Sequence, residues 1–127
     1  MTDLEEAEVW YESAKSAFDS PRGREKYTVA VAQATHALIK ANDALTMKYL
    51  GLRSTRHEDA AVLFGDSIKQ NKIDPKLADL RRLLTRAVAE KSNYDYKGTE
   101  VSKATASSWL RDVERFLETV RGILRGE

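Results

Sequence analysis

One long run of apolar residues constrains the fold of this chain more than any other feature. Between residues 21 and 50, apolar side chains recur at steps of three and four, at Tyr27, Val31, Ala34, Leu38, Ala41, Leu45 and Tyr49. This spacing puts them on one face of an α-helix, whereas a half-buried strand would need strict alternation. The sequence therefore predicts one long amphipathic helix over about residues 21–50, against which other helices pack.

Four further segments have helical spacing, and no stretch alternates long enough to compete as a strand. Their inward-facing positions include Leu4, Ala7, Tyr11 and Phe18 in the first helix, Ala61, Phe64 and Ile68 in a short third helix, Leu77, Leu80, Leu84 and Val88 in the fourth, and Ala106, Trp109, Val113, Phe116, Val120 and Leu124 in the fifth. Short polar turns join these segments. They predict an all-α fold, an antiparallel up-down helical bundle of four main helices plus one short helix.

The ends of the helices are predicted from their capping residues. Ser20 followed by Pro21 predicts the start of the second helix, and Gly51 predicts its end. Asp74 followed by Pro75 predicts the start of the fourth helix. The same argument predicts a capping box for the third helix and a cap at the fifth, with Thr55, Glu58 and Ser102 as the capping residues.

Length and composition exclude several classes of protein. The chain has 127 residues, 42% hydrophobic and 32% charged, which suits one globular domain over residues 1–127 and does not suit a disordered chain. There are no cysteines, so thiolate catalysis, disulfides and cysteine-based zinc sites are excluded. No apolar run approaches the length of a membrane span, and the acidic start "MTDLEEAEVW" does not resemble a secretion signal. We expect a cytoplasmic protein.

The charges are unevenly distributed although the formal net charge is only +1. Residues 1–20 carry six acids against Lys15, residues 21–97 carry fifteen Lys and Arg against nine acids, and residues 98–127 are balanced. A basic middle can help to hold a polyanion, but an ion-paired, solvated helix surface explains the same excess.

The connection "KSNYDYKGTEVS", residues 91–102, contains two tyrosines where loops between helices usually have small and polar residues. Tyr94 and Tyr96 can pack as a plug on the end of the bundle, which the residues alone favour. Alternatively, Lys91 and Lys97 flank them and form with them a basic and aromatic group suited to a nucleotide or RNA. Both interpretations stay open at this level.

Histidines provide the remaining candidates for chemistry. His36 and His57 are 21 residues apart without a carboxylate at ligand spacing, so we expect no metal. His36 lies on a polar stripe of the second helix with Gln33, Lys40 and Asp43, which is either an exposed face or the wall of a groove. His57 follows Arg53 and Arg56 in a run without acids that can hold a phosphate or simply be a soluble loop.

Several motifs together resemble the HEPN family, the higher eukaryotes and prokaryotes nucleotide-binding domain. The run "AVAQATHALIKANDAL" is similar to the long helix of that family, with Lys40 and Ala41 as its lysine–alanine pair. His57 in "STRHEDAAVLF" occupies the position of a histidine that opens the next short helix. The segment "EKSNYDYKGTEVSKATASSWLRDVERFLETV" resembles the Arg-x-x-Ala-Asp-Tyr element and the capped helix after it. The resemblance covers about residues 7–124.

This resemblance implies a helical bundle, usually a homodimer, often paired with a minimal nucleotidyltransferase in a toxin–antitoxin-like system. Many members are RNases with an Arg, four to six residues, then His. Here Lys91 and Tyr96 stand at those two positions. Lysine lacks the bidentate fork of arginine, and a tyrosine with a pKa near 10 is a poor acid–base catalyst at neutral pH.

We therefore predict a dimeric bundle that binds a nucleotide, an RNA or such a partner, without a cofactor and without efficient catalysis. Lys91, Asp95 and Tyr96 are predicted to border the cleft. Arg56, His57 and Lys40 are predicted as its neighbours. The alternative is a metal-independent endoribonuclease in which Lys91 and Tyr96 replace the usual catalytic pair.

Overall fold

The computed structural model describes residues 2–54, 59–69, 80–95 and 101–126, with the backbone alone for residues 88 and 90–95. These residues form five helices: α1 (Asp3–Phe18), α2 (Glu25–Leu50), α3 (Asp59–Lys69), α4 (Leu80–Asp95) and α5 (Lys103–Leu124). No strand occurs among the described residues. The prediction of an all-α helical bundle is confirmed, and the capping motifs at Thr55 and Asp74 lie outside the described residues.

The helix ends follow the local chemistry of their caps where a cap is present. Thr2 and Glu5 form a capping box at the start of α1, in which the Glu5 N–H donates to Thr2 Oγ1 and the Thr2 N–H donates to Glu5 Oε2. Ser102 Oγ accepts from the N–H of Thr105 at 3.1 Å and caps α5, as predicted. Gly51 ends α2 with φ of 69°, a left-handed conformation that glycine adopts at little cost, which is also as predicted.

The predicted start of α2 is wrong. The helix begins at Glu25, not at Pro21, and its N-cap residue Arg24 makes no side-chain capping bond. Ser20 Oγ accepts from the N–H of Arg22, two residues along, so it stabilises a local turn instead of a helix start. Gly23 follows within this turn, and glycine costs about 1 kcal/mol relative to alanine inside a helix.

The segment "KSNYDYKGTEVS" is not entirely a connection, which also differs from the prediction. Residues 91–95 continue α4 for more than one turn. No proline or glycine occurs within residues 80–95, so nothing in the sequence ends the helix earlier. The polar composition of residues 91–95 therefore led to a predicted connection that begins before the helix ends.

The directions of the helices follow from side-chain pairs between them. Phe18 lies against Tyr27, whereas Trp10 lies against His36, so α1 and α2 are antiparallel. The Tyr11 hydroxyl donates to Glu114 at 3.2 Å, and Arg121 donates to Glu8 at 2.7 Å, so α1 and α5 are antiparallel as well. The starts of α2 and α5 consequently lie at the same end of the bundle.

The core lies between α2, α5 and the inner faces of the other helices. Trp109 and Phe116 of α5 are buried, and Phe116 contacts Phe64 of α3 with 6.2 Å between ring centroids. Asn42 Nδ2 donates to the carbonyl of Ala60 and ties α3 to α2. Within the described residues, no helix combines the length and apolar character that crossing a bilayer would require.

Candidate functional site

The residues predicted to bind a ligand are only partly described. Lys40 has a described side chain in the middle of α2. The last five residues of α4 include Lys91 and Asp95, whose backbone alone is described. Arg56, His57 and Tyr96 lie outside the described residues. The grouping of these residues around one cleft stays a prediction.

Lys40 belongs to an ion network between α1, α2 and the residues that follow α2. Its Nζ lies 3.1 Å from Glu6 and 3.9 Å from Asp3, and Arg53 Nε donates to both oxygens of Asp3 at 2.9 and 3.2 Å. Two cations and two carboxylates therefore neutralise one another. The polar stripe of α2 packs against α1 here, so it is not the free exposed face that one interpretation of the sequence allowed.

Asp43 is the buried member of this network, which we define as Asp3, Glu6, Lys40, Asp43, Arg53 and Ser54. Only 3% of Asp43 is exposed, and its Oδ1 accepts from the N–H of Ser54 at 3.1 Å and from Ser54 Oγ at 2.8 Å. Burial raises the pKa of Asp43, while the two bonds from Ser54 and the nearby Lys40 lower it. The network thus fixes the path of the chain as it leaves α2.

A cleft lies at the opposite end of α2. It has a volume of about 400 Å³, and its described lining residues are Arg24, Tyr27, Val101, Ser102 and Lys103. Arg24 is the N-cap residue of α2, and Ser102 is the N-cap residue of α5. The cleft therefore lies where two long helices begin.

The electrostatics of the cleft suit an anion. The N-terminus of a helix carries a partial positive charge, and α2 and α5 both begin at the cleft. Arg24 and Lys103 are exposed and form no ion pair with any residue that the structure describes. Two helix starts and two available cations together favour a phosphate group.

Tyr27 forms a braced aromatic wall of the cleft. Its ring contacts Phe18 with 5.5 Å between centroids, and Lys26 Nζ lies 5.2 Å from the centroid of the Tyr27 ring. Lys26 is itself held by a bond of 2.9 Å to the carbonyl of Ser20. Neighbours on α1 and in the preceding turn thus hold the tyrosine in place, so binding beside it orders few side chains.

The described lining of the cleft can bind but contains no obvious acid–base pair. It has two cations, a phenol and a hydroxyl, without a carboxylate or an imidazole. Sequence reasoning missed Arg24 because it put this residue inside α2, and it missed Tyr27 and Lys103 because it assigned Tyr27 to the apolar face of α2 and gave Lys103 no role. A signal was present in the sequence, because Arg22, Arg24 and Lys26 precede Tyr27 in a basic and aromatic pattern similar to that of residues 91–97.

A metal centre is not apparent in the described residues, among which no three histidine, aspartate or glutamate side chains are placed to hold an ion.

Comparison with family models matches residues 3–123 to the HEPN domain. The match spans nearly the whole chain, including both ends of α2 and the cleft. No curated protein matches the chain.

Proposed function

The chain belongs to the HEPN domain family, and we propose that it binds a nucleotide or RNA through the phosphate groups at the cleft. The observation that carries this proposal is the pair of cations, Arg24 and Lys103, beside two helix starts, with no carboxylate among the described lining residues. A phosphate in the cleft would accept bonds from both cations and from the N–H groups of the helix starts.

The predicted residues extend this site along the chain. We propose that Lys91, Asp95 and Tyr96 border the same cleft, because they precede Val101 and Ser102 by only five to eleven positions in the sequence. Arg56 and His57 are proposed as neighbours on the basis of the family resemblance alone. Lys40 is the weakest member of the set, since Glu6 already lies 3.1 Å from its ammonium group.

We further propose that the protein functions without efficient catalysis. Lys91 and Tyr96 stand where RNases of the family have arginine and histidine, and the described lining of the cleft supplies no other acid or base.

A homodimer is proposed, and so is pairing with a minimal nucleotidyltransferase in a toxin–antitoxin-like system. Both rest on membership of the family.

Fluorescence anisotropy with a short labelled RNA, and competition by ATP, AMP and inorganic phosphate, test the binding proposal. Reversing both charges, Arg24→Glu with Lys103→Glu, should weaken binding by at least about tenfold, because phosphate contacts dominate affinity for nucleic acids. The matched control is Arg115→Glu with Arg111→Glu, which removes the same charge from exposed positions further along α5. Equal losses in both double variants would show nonspecific attraction and overturn the site.

Incubation of purified protein with varied RNAs in EDTA tests the endoribonuclease alternative. The proposal expects no cleavage. Cleavage that disappears in both Lys91→Ala and Tyr96→Phe would contradict it and would identify those residues as the catalytic pair. Cleavage that survives both substitutions would point to a contaminating nuclease.

A further inference from the structure

Arg81 of α4 is fixed against α3 by two contacts of its guanidinium group. Its Nε donates to the carbonyl of Ala61 at 3.1 Å. A Cβ atom at Gly65 would lie 3.1 Å from Cζ of Arg81 and 3.3 Å from Nε. Carbon atoms normally pack about 3.5–4.0 Å apart, so this is too close for an undisturbed contact. The guanidinium group therefore occupies the space that a side chain at position 65 would need.

The glycine under Arg81 is unusual for its place in the chain. Gly65 lies within α3, which runs from Asp59 to Lys69, and glycine destabilises the interior of a helix relative to alanine. Its backbone does not require glycine, because Gly51 and Gly126 are the described glycines with positive φ. The close approach of Arg81 is the feature of the described structure that requires a residue without a side chain at position 65.

Most of the binding capacity of this guanidinium group remains available. Arg81 is exposed and forms no ion pair with any residue that the structure describes. A guanidinium has five N–H donors, and the Ala61 carbonyl uses one of them. The contacts with Ala61 and Gly65 hold the group in place before a ligand arrives. Bidentate binding of an oxyanion would therefore order few additional groups.

Neighbours on α3 add an apolar contact and a second cation. Val62 is 53% exposed and lies three residues before Gly65, and exposed Lys69 lies four residues after it, so both are neighbours of Gly65 on the helix surface. Asp66 is the nearest carboxylate along α3, and neither it nor Lys69 forms an ion pair with a described residue. We define the α3–α4 patch as Val62, Gly65, Lys69 and Arg81. It presents two cations around an exposed valine.

We propose that the α3–α4 patch binds an acidic segment of a partner protein. A carboxylate of that segment binds the guanidinium of Arg81, and a neighbouring apolar side chain covers Val62. Charge complementarity selects an acidic partner, because the guanidinium matches the two oxygens of a carboxylate. The exposed valine favours a protein over RNA, since phosphate groups would leave it uncovered. The inference does not rest on binding of a nucleotide or RNA at the cleft.

Selection from a library of short random peptides, displayed on phage and applied to the full chain, tests the proposal. Peptides that are enriched on wild type and not on Arg81→Gln should carry Asp or Glu beside an apolar residue. The most enriched peptide, labelled with fluorescein, is then the probe for anisotropy titrations. Absence of enrichment over Arg81→Gln, or enrichment of peptides without Asp and Glu, would overturn the proposal.

Substitutions in α4 test whether the fixed guanidinium matters or only its charge. Arg81→Gln should weaken binding of this peptide by at least about tenfold, and Arg81→Lys by nearly as much, because lysine keeps the charge without the bidentate geometry. Arg82→Gln is the matched control, since Arg82 is also exposed and lies about 100° further around the helix. Its affinity should stay close to that of wild type. Equal losses in Arg81→Gln and Arg82→Gln would show nonspecific attraction and overturn the site.

Gly65→Ala tests the position of Arg81 without removing any charge. The added methyl group should displace the guanidinium from α3, while alanine favours the helix, so peptide affinity should fall several-fold with no loss of thermal stability. Circular dichroism melting checks that Gly65→Ala and Arg81→Lys stay folded. Unchanged affinity in both variants would contradict a role for the fixed guanidinium.

Measurements on the cleft variant separate this site from the cleft. Arg24→Glu with Lys103→Glu should bind the peptide as tightly as wild type, and Arg81→Gln should bind RNA as tightly as wild type. If Arg81→Gln lost affinity for RNA and kept its affinity for the peptide, the patch would belong to a nucleic-acid surface and the proposal would be wrong.

Discussion

The two ends of α2 both concentrate charge, and they use it differently. Near Asp43 the carboxylates and cations of the network pair with one another, and a buried carboxylate holds Ser54 through two bonds. About 28 Å away along the helix, Arg24 and Lys103 surround the cleft and pair with no described residue. The first end fixes the conformation of the chain, and the second leaves its charges available.

This difference determines where an anionic ligand has to compete. At Lys40 a phosphate would have to displace Glu6 from a contact of 3.1 Å and would then meet Asp3 and the Asp43 carboxyl. At the cleft, no carboxylate among the described lining residues competes with it. A lysine or arginine in the sequence is therefore a weak predictor of an anion-binding site until the carboxylates that pair with it in the fold are known.

The largest expected effect is a loss of stability when the network around Asp43 is disrupted. Asp43→Ala leaves the Ser54 N–H and hydroxyl without their acceptor, and leaving buried donors unsatisfied costs about 1–3 kcal/mol. Asp43→Asn keeps an acceptor oxygen and should lower the free energy of unfolding less than Asp43→Ala. Urea unfolding measures both. Equal stability of Asp43→Ala and wild type would show that the network is not structural.

The next effect compares single cations at the two ends. Arg24→Ala should lower the affinity for RNA and reduce the slope of log affinity against log salt by about one, as expected for a lost phosphate contact. Lys40→Ala should change affinity less than twofold, because its charge is already used by Glu6 and Asp3. Anisotropy titrations at several salt concentrations measure both slopes. A larger loss in Lys40→Ala would restore Lys40 as a ligand residue.

A third effect separates helix capping from ligand binding at the cleft. Ser102→Ala should destabilise the protein by about 1 kcal/mol, the usual cost of losing an N-cap, with little change in affinity. Ser102→Asp keeps a capping oxygen but adds a negative charge to the cleft, so stability should be retained while binding of RNA weakens. Thermal melting and anisotropy on the same samples distinguish the two. Undiminished binding in Ser102→Asp would contradict an anion site.

The smallest expected effect is a dependence of stability on pH that comes from Asp43. Burial raises the pKa of Asp43 above its value in the unfolded chain, so the folded state binds the proton more tightly. The stability that this tighter proton binding adds is complete below the pKa of Asp43 in the unfolded chain, near 4. It is lost as the pH rises through the pKa of Asp43 in the folded protein. Urea unfolding between pH 4 and 7 should therefore show wild type losing stability relative to Asp43→Asn. A constant difference would contradict the raised pKa.

Helix identity was predictable because it depends on neighbours along the chain. Apolar spacing located the five helices of the described residues, and Gly51 and Ser102 were correctly assigned as an end and a start. The start of α2 was not predictable from its apparent Ser20 and Pro21 signal. There the Ser20 hydroxyl bonds to Arg22 in a turn, and the competition between turn and helix depends on small energy differences.

The site was less predictable because it depends on which charges meet. A local pattern drew attention to the basic and aromatic segment at residues 91–97, but Arg24 and Tyr27, which line the cleft, come from a distant part of the sequence. Their approach to Lys103 requires α2 and α5 to run in the same direction. The local sequence pattern of either helix does not predict the relative direction of the two helices.

By itself, the sequence of this chain determined an all-helical fold and membership of the HEPN domain family, because periodicity and short motifs are local properties. Only the tertiary structure decided which charges are available. Lys40 and Arg24 look alike in the sequence, but packing of α1 on α2 brings carboxylates to Lys40 and brings none of the described carboxylates to Arg24. Coulomb interactions depend on distance in space, and the fold sets those distances.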